Sequence, residues 1–171
     1  RGGIVRSFKD REGREWQIDL TLGALMRIKA STGMDMLDVD LSKSEGPEEF
    51  RRLSTDPITL ADTLCAVCRS QIAARSITDE QFADALGGEA IDSALVALVQ
   101  EWADFFRRRG AEAKAKLLEM VVKVMKGTQD RINQAVAKID TEAAAASILG
   151  SMSTNSRASS ESIPESSPSA S

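Results

Sequence analysis

Residues 89–108, Glu89-Ala90-Ile91-Asp92-Ser93-Ala94-Leu95-Val96-Ala97-Leu98-Val99-Gln100-Glu101-Trp102-Ala103-Asp104-Phe105-Phe106-Arg107-Arg108, fix the character of the fold. Ile91, Leu95, Leu98, Trp102 and Phe105 follow one another at steps of four, three, four and three, and Val99 and Phe106 widen the stripe. That is the spacing of one broad apolar face on an α-helix, so this segment is the principal core helix of a mostly helical domain.

Upstream, the pattern changes period. Residues 4–8 and 16–20 read as two short strands around the turn Asp10-Arg11-Glu12-Gly13, with Trp16, Ile18 and Leu20 alternating with polar residues. A lone two-stranded hairpin is marginal in water, so it must pack on the helices. Thr21 is placed to cap a helix whose apolar side is Leu22, Leu25, Met26 and Ile28, and Gly33 to close it. Met34, Met36, Leu37, Val39 and Leu41, mixed with Asp35, Asp38 and Asp40, read as a packed loop. Pro47 opens a short helix through Leu53, which residues 54–57 break. Thr59 is the expected cap of a helix over residues 60–75. Thr78 and Gln81 form a capping box for a short helix ending at Gly87-Gly88.

Downstream of Gly110, Leu118, Val122, Met125, Gln129, Ile132, Val136, Ile139, Ala143 and Ala146 continue in steps of four and three. This is a heptad seam, and Gly127 within it is either tolerated, a kink or a break. Glu119 and Lys123 add an i,i+4 pair. The seam can pack on the chain's own domain or pair with another helix, including a copy of itself. Its polar flanks and the small Ala143 and Ala146 suit a coiled coil. Leu118, Val122, Met125, Ile132, Val136 and Ile139 are therefore the candidate partner-binding residues. Residues 150–171 hold ten serines and two prolines and are expected to be disordered. The expected organisation is a hairpin-plus-helical domain over 1–109, a helical extension over 110–149 and a tail over 150–171. The fold class is α+β, mostly α-helical.

Composition removes whole classes of chemistry. Among 171 residues there is no His, so no Ser-His-Asp triad, Cys-His pair or imidazole metal site can form. Aromatics are 4%, too few for a base-stacking platform, and the net charge of −4 is not that of a nucleic-acid binder. Cys65-Ala66-Val67-Cys68 is a CxxC. Cys65 lies too far from the expected helix start for a dipole-activated thiol, and a zinc site lacks two further ligands. Small buried apolar residues are the plainer reading. Asp35, Asp38 and Asp40 lack the register of a calcium loop, and no glycine pattern suits a nucleotide. Arg107, Arg108 and Arg109 complement a helix C-terminus. Residues 57–106 carry two basic and eight acidic side chains, and residues 107–126 seven basic and two acidic. These blocks either neutralise one another or leave a basic face for an acidic partner. No apolar run is long enough to span a membrane, and Arg1-Gly2-Gly3 leads into a strand without a signal-peptide pattern, so a cytoplasmic location is expected.

The stretch from Phe8 to Gly23, with its F-x-D-x-x-G-R-x-W form, resembles the N-terminal signature of the small tail assembly chaperones of tailed phages and prophages. So does its continuation through Thr32-Gly33-Met34-Asp35-Met36-Leu37. The later order, a helix around residues 60–74, then ITDEQFADAL, then a helix ending ADFF, is similar as well, so the resemblance covers residues 4–106. It implies a protein that binds the long helical tape-measure protein, keeps it soluble and helps tail-tube subunits polymerise around it. The tail-tube protein would be a further partner. No enzyme activity and no cofactor are implied. The seam and the exposed hairpin edge are the surfaces such a role would use. The alternative is a structural adaptor of the phage particle, at the neck or head–tail junction.

Overall fold

A computed structural model describes residues 5–42 and 46–154, apart from the side chains of residues 129 and 139–154. The chain is α+β and mostly helical, with an N-terminal antiparallel hairpin packed against helices. In order, the elements are β1 (Arg6–Lys9), β2 (Glu15–Ile18), α1 (Leu22–Thr32), α2 (Glu48–Thr55), α3 (Pro57–Ala74), α4 (Asp79–Asp84), α5 (Glu89–Arg108) and α6 (Glu112–Thr154). The backbone divides into two compact units between Lys126 and Gly127. The first therefore extends past the boundary expected at Arg109, and α6 continues past Leu149. Residues 155–171, most of the expected Ser-rich tail, lie outside the described residues.

In the first unit α5 is the centre. Ala94, Leu98, Val99 and Trp102 are fully buried, as nearly are Leu95, Phe105 and Phe106, and only Ile91 of the expected stripe is half-exposed. A helix so enclosed must satisfy every polar group it buries. The Trp102 indole N–H donates to the Met36 carbonyl at 2.8 Å, which draws the 34–41 loop over the helix. Within that loop Met34, Met36 and Val39 are buried, while Leu37 and Leu41 face outward.

The hairpin pairs Phe8 with Trp16 and Ser7 with Gln17. Phe8, Trp16 and Ile18 face inward and their neighbours face out, the alternation of a half-buried sheet. Its turn is organised by Asp10. One carboxylate oxygen accepts from the backbone N–H of Glu12 and Arg14, both at 2.9 Å. The other accepts from Arg14 Nε at 2.7 Å and Trp16 Nε1 at 2.9 Å. Gly13 takes φ 78°, which lets the chain turn back. The turn then docks on the connection between α4 and α5: Arg11 N–H donates to the Ala85 carbonyl at 3.0 Å, and the Arg11 side chain lies where a Cβ on Gly87 would stand.

The outer edge of β2 is closed by Gln71 of α3 and by Arg75 just past its end. Gln17 N–H donates to Gln71 Oε1 at 3.0 Å, and Gln71 Nε2 donates to the Gln17 carbonyl at 2.8 Å. Arg75 donates to the Glu15 carbonyl at 2.6 Å while its guanidinium stacks 4.1 Å from the Trp16 ring. An amide side chain here stands in for a neighbouring strand and blocks edge pairing. The hairpin edge expected as a contact surface is thus occupied on the β2 side.

Several caps follow the sequence reading. Thr21 Oγ1 accepts from Ala24 N–H, Gly33 closes α1 at φ 70°, and the Thr78–Gln81 capping box is complete. Two expectations are corrected. On α1, Ala24, Leu25 and Ile28 form the buried side, and Leu22 and Met26 are exposed. On α3, the cap is Asp56 rather than Thr59. Asp56 accepts from Ile58 and Thr59 N–H and from the Thr59 hydroxyl, and its own N–H closes α2. A carboxylate one residue before Pro57 outcompetes the later Thr because Pro at the first helical position starts the helix there. Helix α4 also stops at Asp84, before Gly87, with a turn bridging to α5.

Burial alone would raise the Asp10 pKa, but the hydrogen bonds from Trp16 and Arg14 outweigh it and hold the carboxyl below its ordinary 3.8. Its stabilising contribution is therefore full above about pH 4 and fades as pH falls below that range. Asp10→Asn should lower unfolding free energy in urea by about 2–3 kcal/mol at pH 7, the scale of a buried charge-assisted network. The deficit should shrink as pH approaches 3. A variant as stable as wild type at pH 7 would remove Asp10 from this role.

Candidate interaction surfaces

The candidate partner-binding residues fall into two sets. Leu118 and Val122 are buried, at 0% and 7% exposure, in the core of the first unit, and Met125 is half-buried against it. Leu118 and Val122 are thus enclosed by the chain's own domain, and Met125 is partly so. Ile132 and Val136 are each 51% exposed. The side chain of Ile139 lies outside the described residues. The surface-available part of the seam is thus Ile132 and Val136, among residues 130–138 that are all exposed. Gly127 has helical backbone and marks no break in α6.

The first turns of α6 are anchored by specific contacts. Ala111 N–H donates to the Phe106 carbonyl at 3.0 Å. Lys114 donates to the Leu37 carbonyl at 2.8 Å, its ammonium 5.2 Å from the Phe106 ring. Arg107 of α5 pairs with Glu119 of α6 and also with Asp104. Glu119 therefore bonds across to α5, and the expected partnership with Lys123 does not form.

The opposed charge blocks are partly neutralised in this way. Arg108 pairs with the buried Glu101 at 2.7 Å, Arg6 with Asp104 at 2.9 Å, and Arg109 stacks on Phe105 at 5.5 Å. Lys116, Lys123 and Lys126 make no ion pair among the described residues and are exposed. Beside them on α6, Met120 and Val124 are each 64% exposed. This second stripe repeats the steps of three and four, offset from the seam.

The CxxC is packed. Cys68 is fully buried and Cys65 half-buried. Burial, with the charges of Asp79 and Asp62, pushes the Cys65 thiol up to about 12. Burial and the neighbouring Cys65 push Cys68 up to about 12, against the partial opposition of Arg75. Both thiols are therefore protonated at neutral pH and poor nucleophiles. Two aspartates of the 34–41 loop are engaged locally: Asp35 pairs with Lys29 of α1 at 2.6 Å and accepts from Leu37 N–H, and Asp40 accepts from Ser42. Among the described residues no group of three or more His, Cys, Asp or Glu is placed to hold a metal ion, and no helix is long and apolar enough to cross a membrane.

The chain matches no protein-family model, no curated protein and no solved structure.

With both thiols held protonated, iodoacetamide at pH 8 should alkylate the folded chain at least about a hundredfold more slowly than the chain in urea, where thiols titrate near 8.5. Equal rates would restore the CxxC as a reactive site.

Proposed function

We propose that this chain is a tail assembly chaperone of a tailed phage or prophage. It works in the host cytoplasm, binds the helical tape-measure protein before the tube encloses it, and assists tail-tube polymerisation. It acts by contact rather than by catalysis. The observation that carries this reading is the exposed continuation of the seam at Ile132 and Val136 beyond the part consumed by the chain's own core. A helix presenting apolar residues at steps of four, among polar neighbours such as Arg131, Gln134 and Lys138, suits an amphipathic helical partner. A tape-measure protein exposes long apolar helical stripes, which such a surface would cover. The hairpin signature from Phe8 to Gly23 supports the same reading. The protonated thiols and the absence of His fit a binding protein.

Ile132→Asp together with Val136→Asp should abolish co-purification with a co-expressed tape-measure fragment while leaving the thermal melt of the first unit unchanged. Leu118→Asp, by contrast, should unfold that unit, because it places a charge in the core. Retained binding by the double variant would eliminate this stripe as the contact. Presence of the protein in purified virions would favour the adaptor reading instead.

A further inference from the structure

The hairpin is closed along one edge and open along the other. On β2, Gln17 turns its N–H and carbonyl outward to Gln71, and Glu15 turns its carbonyl outward to Arg75. In an antiparallel pair, two residues opposite one another either bond across to each other or both point away. Ser7 stands opposite Gln17 and Lys9 opposite Glu15. The N–H and carbonyl groups of Ser7 and Lys9 therefore also point away from the partner strand, along the outer edge of β1. Among the described residues nothing bonds to these four groups. Two cavities lie along the same edge, where β1 runs over α5, and no residue of β2 lines either. One, of about 440 Å³, is lined by Lys9, Arg11, Gly87 and Ala90 among others. The second, of about 130 Å³, includes Arg6, Gln100 and Asp104. Lys9 and Arg11 are exposed and make no ion pair among the described residues. The one exposed carboxylate lining the larger cavity is Glu89, because Asp10 is buried and bonded to Arg14 and Trp16.

We infer that β1 takes an extended, acidic segment of a partner protein as a third strand of the sheet. An open edge is a template for pairing, and an extended backbone supplies, at the right alternation, the donors and acceptors that Ser7 and Lys9 lack. The main chain gives the affinity, and the surplus of positive charge from Lys9 and Arg11 selects an acidic occupant. Antiparallel addition, the more stable pairing, sets the first residues of the segment beside Lys9 and Arg11 and runs it on toward Arg6. Every second side chain of the segment then points down toward α5, where the two cavities lie. With β1 four residues long, a segment of about four to six residues spans the edge. This contact does not use Ile132 or Val136, so its failure and that of the tape-measure reading are separable.

The test is fluorescence anisotropy on the full chain with two labelled peptides of alternating valine and threonine, one beginning with two aspartates and the other with two lysines. The acidic peptide should bind saturably and about tenfold more tightly than the basic one, the scale of exposed charge pairs exchanged for repulsions. Ser7→Pro should abolish that binding, because Pro removes an outward donor that no bond within the chain uses and is tolerated on an edge strand. Lys9→Glu/Arg11→Glu should reverse the preference between the two peptides, and a reversed preference also shows that the variant is folded. Ile132→Asp/Val136→Asp should bind the acidic peptide as wild type does. No binding of the acidic peptide, a preference that survives the charge reversal, or undiminished binding by Ser7→Pro would each overturn the inference. So would pairing of two copies of this chain that Ser7→Pro abolishes and the acidic peptide does not disperse, since a copy would then hold the edge.

Discussion

The burial of α5 is the constraint on which the rest of the first unit depends. A twenty-residue helix carrying Leu95, Leu98, Val99, Trp102, Phe105 and Phe106 has too wide an apolar surface for one neighbour to cover. Each such side chain is worth about 1.5–3 kcal/mol when buried, so leaving even part of the surface wet would consume a large share of a typical domain's stability. The hairpin covers one side, the 34–41 loop is drawn in by the Trp102 indole, and the first turns of α6 are needed as well. The polar groups enclosed with the helix are matched: Trp102 by Met36, Glu101 by Arg108, Trp16 by Asp10. The hairpin, too small to stand alone, persists because Asp10 fixes its turn and α3 closes its β2 edge.

This need for cover divides the work of the seam. Leu118 and Val122 complete the core of the first unit, and the same four-and-three spacing then continues in exposed residues at Ile132 and Val136. Folding thus uses the first part of one sequence pattern, and in the proposed role binding uses the next. Charge follows the same logic. Arg107, Arg108 and Lys114 are spent in fastening α6 and the end of α5, whereas Lys116 and Lys123 stay exposed beside Met120.

What was legible in the sequence is what local chemistry decides. The hairpin turn, the Thr21 cap, Gly33, the Thr78–Gln81 box and both ends of α5 are signals held within a few residues, and they stand where expected. Where two local signals compete, neither decides alone: Thr59 and Asp56 can both cap α3, and Pro57 decides for Asp56. Periodicity names a helix face but not what lies on it. That is why Leu22 and Met26, on the apolar side of α1 by spacing, stand exposed, and why spacing does not separate Leu118 and Val122, which α5 needs, from Ile132 and Val136. The closure of the β2 edge by Gln71, fifty-four residues from Gln17, has no local signature at all.

The division of α6 between a buried stretch holding Leu118 and Val122 and an exposed stretch holding Ile132 and Val136 is what the account rests on. Amide hydrogen exchange along α6 of the free chain tests it directly. Residues 115–126 should exchange at the rate set by global unfolding. Residues 128–138, whose described side chains are all exposed, should exchange far faster, since an isolated helix is marginal without tertiary packing. Uniform protection across both stretches would contradict the division of the helix between a core part and an exposed part.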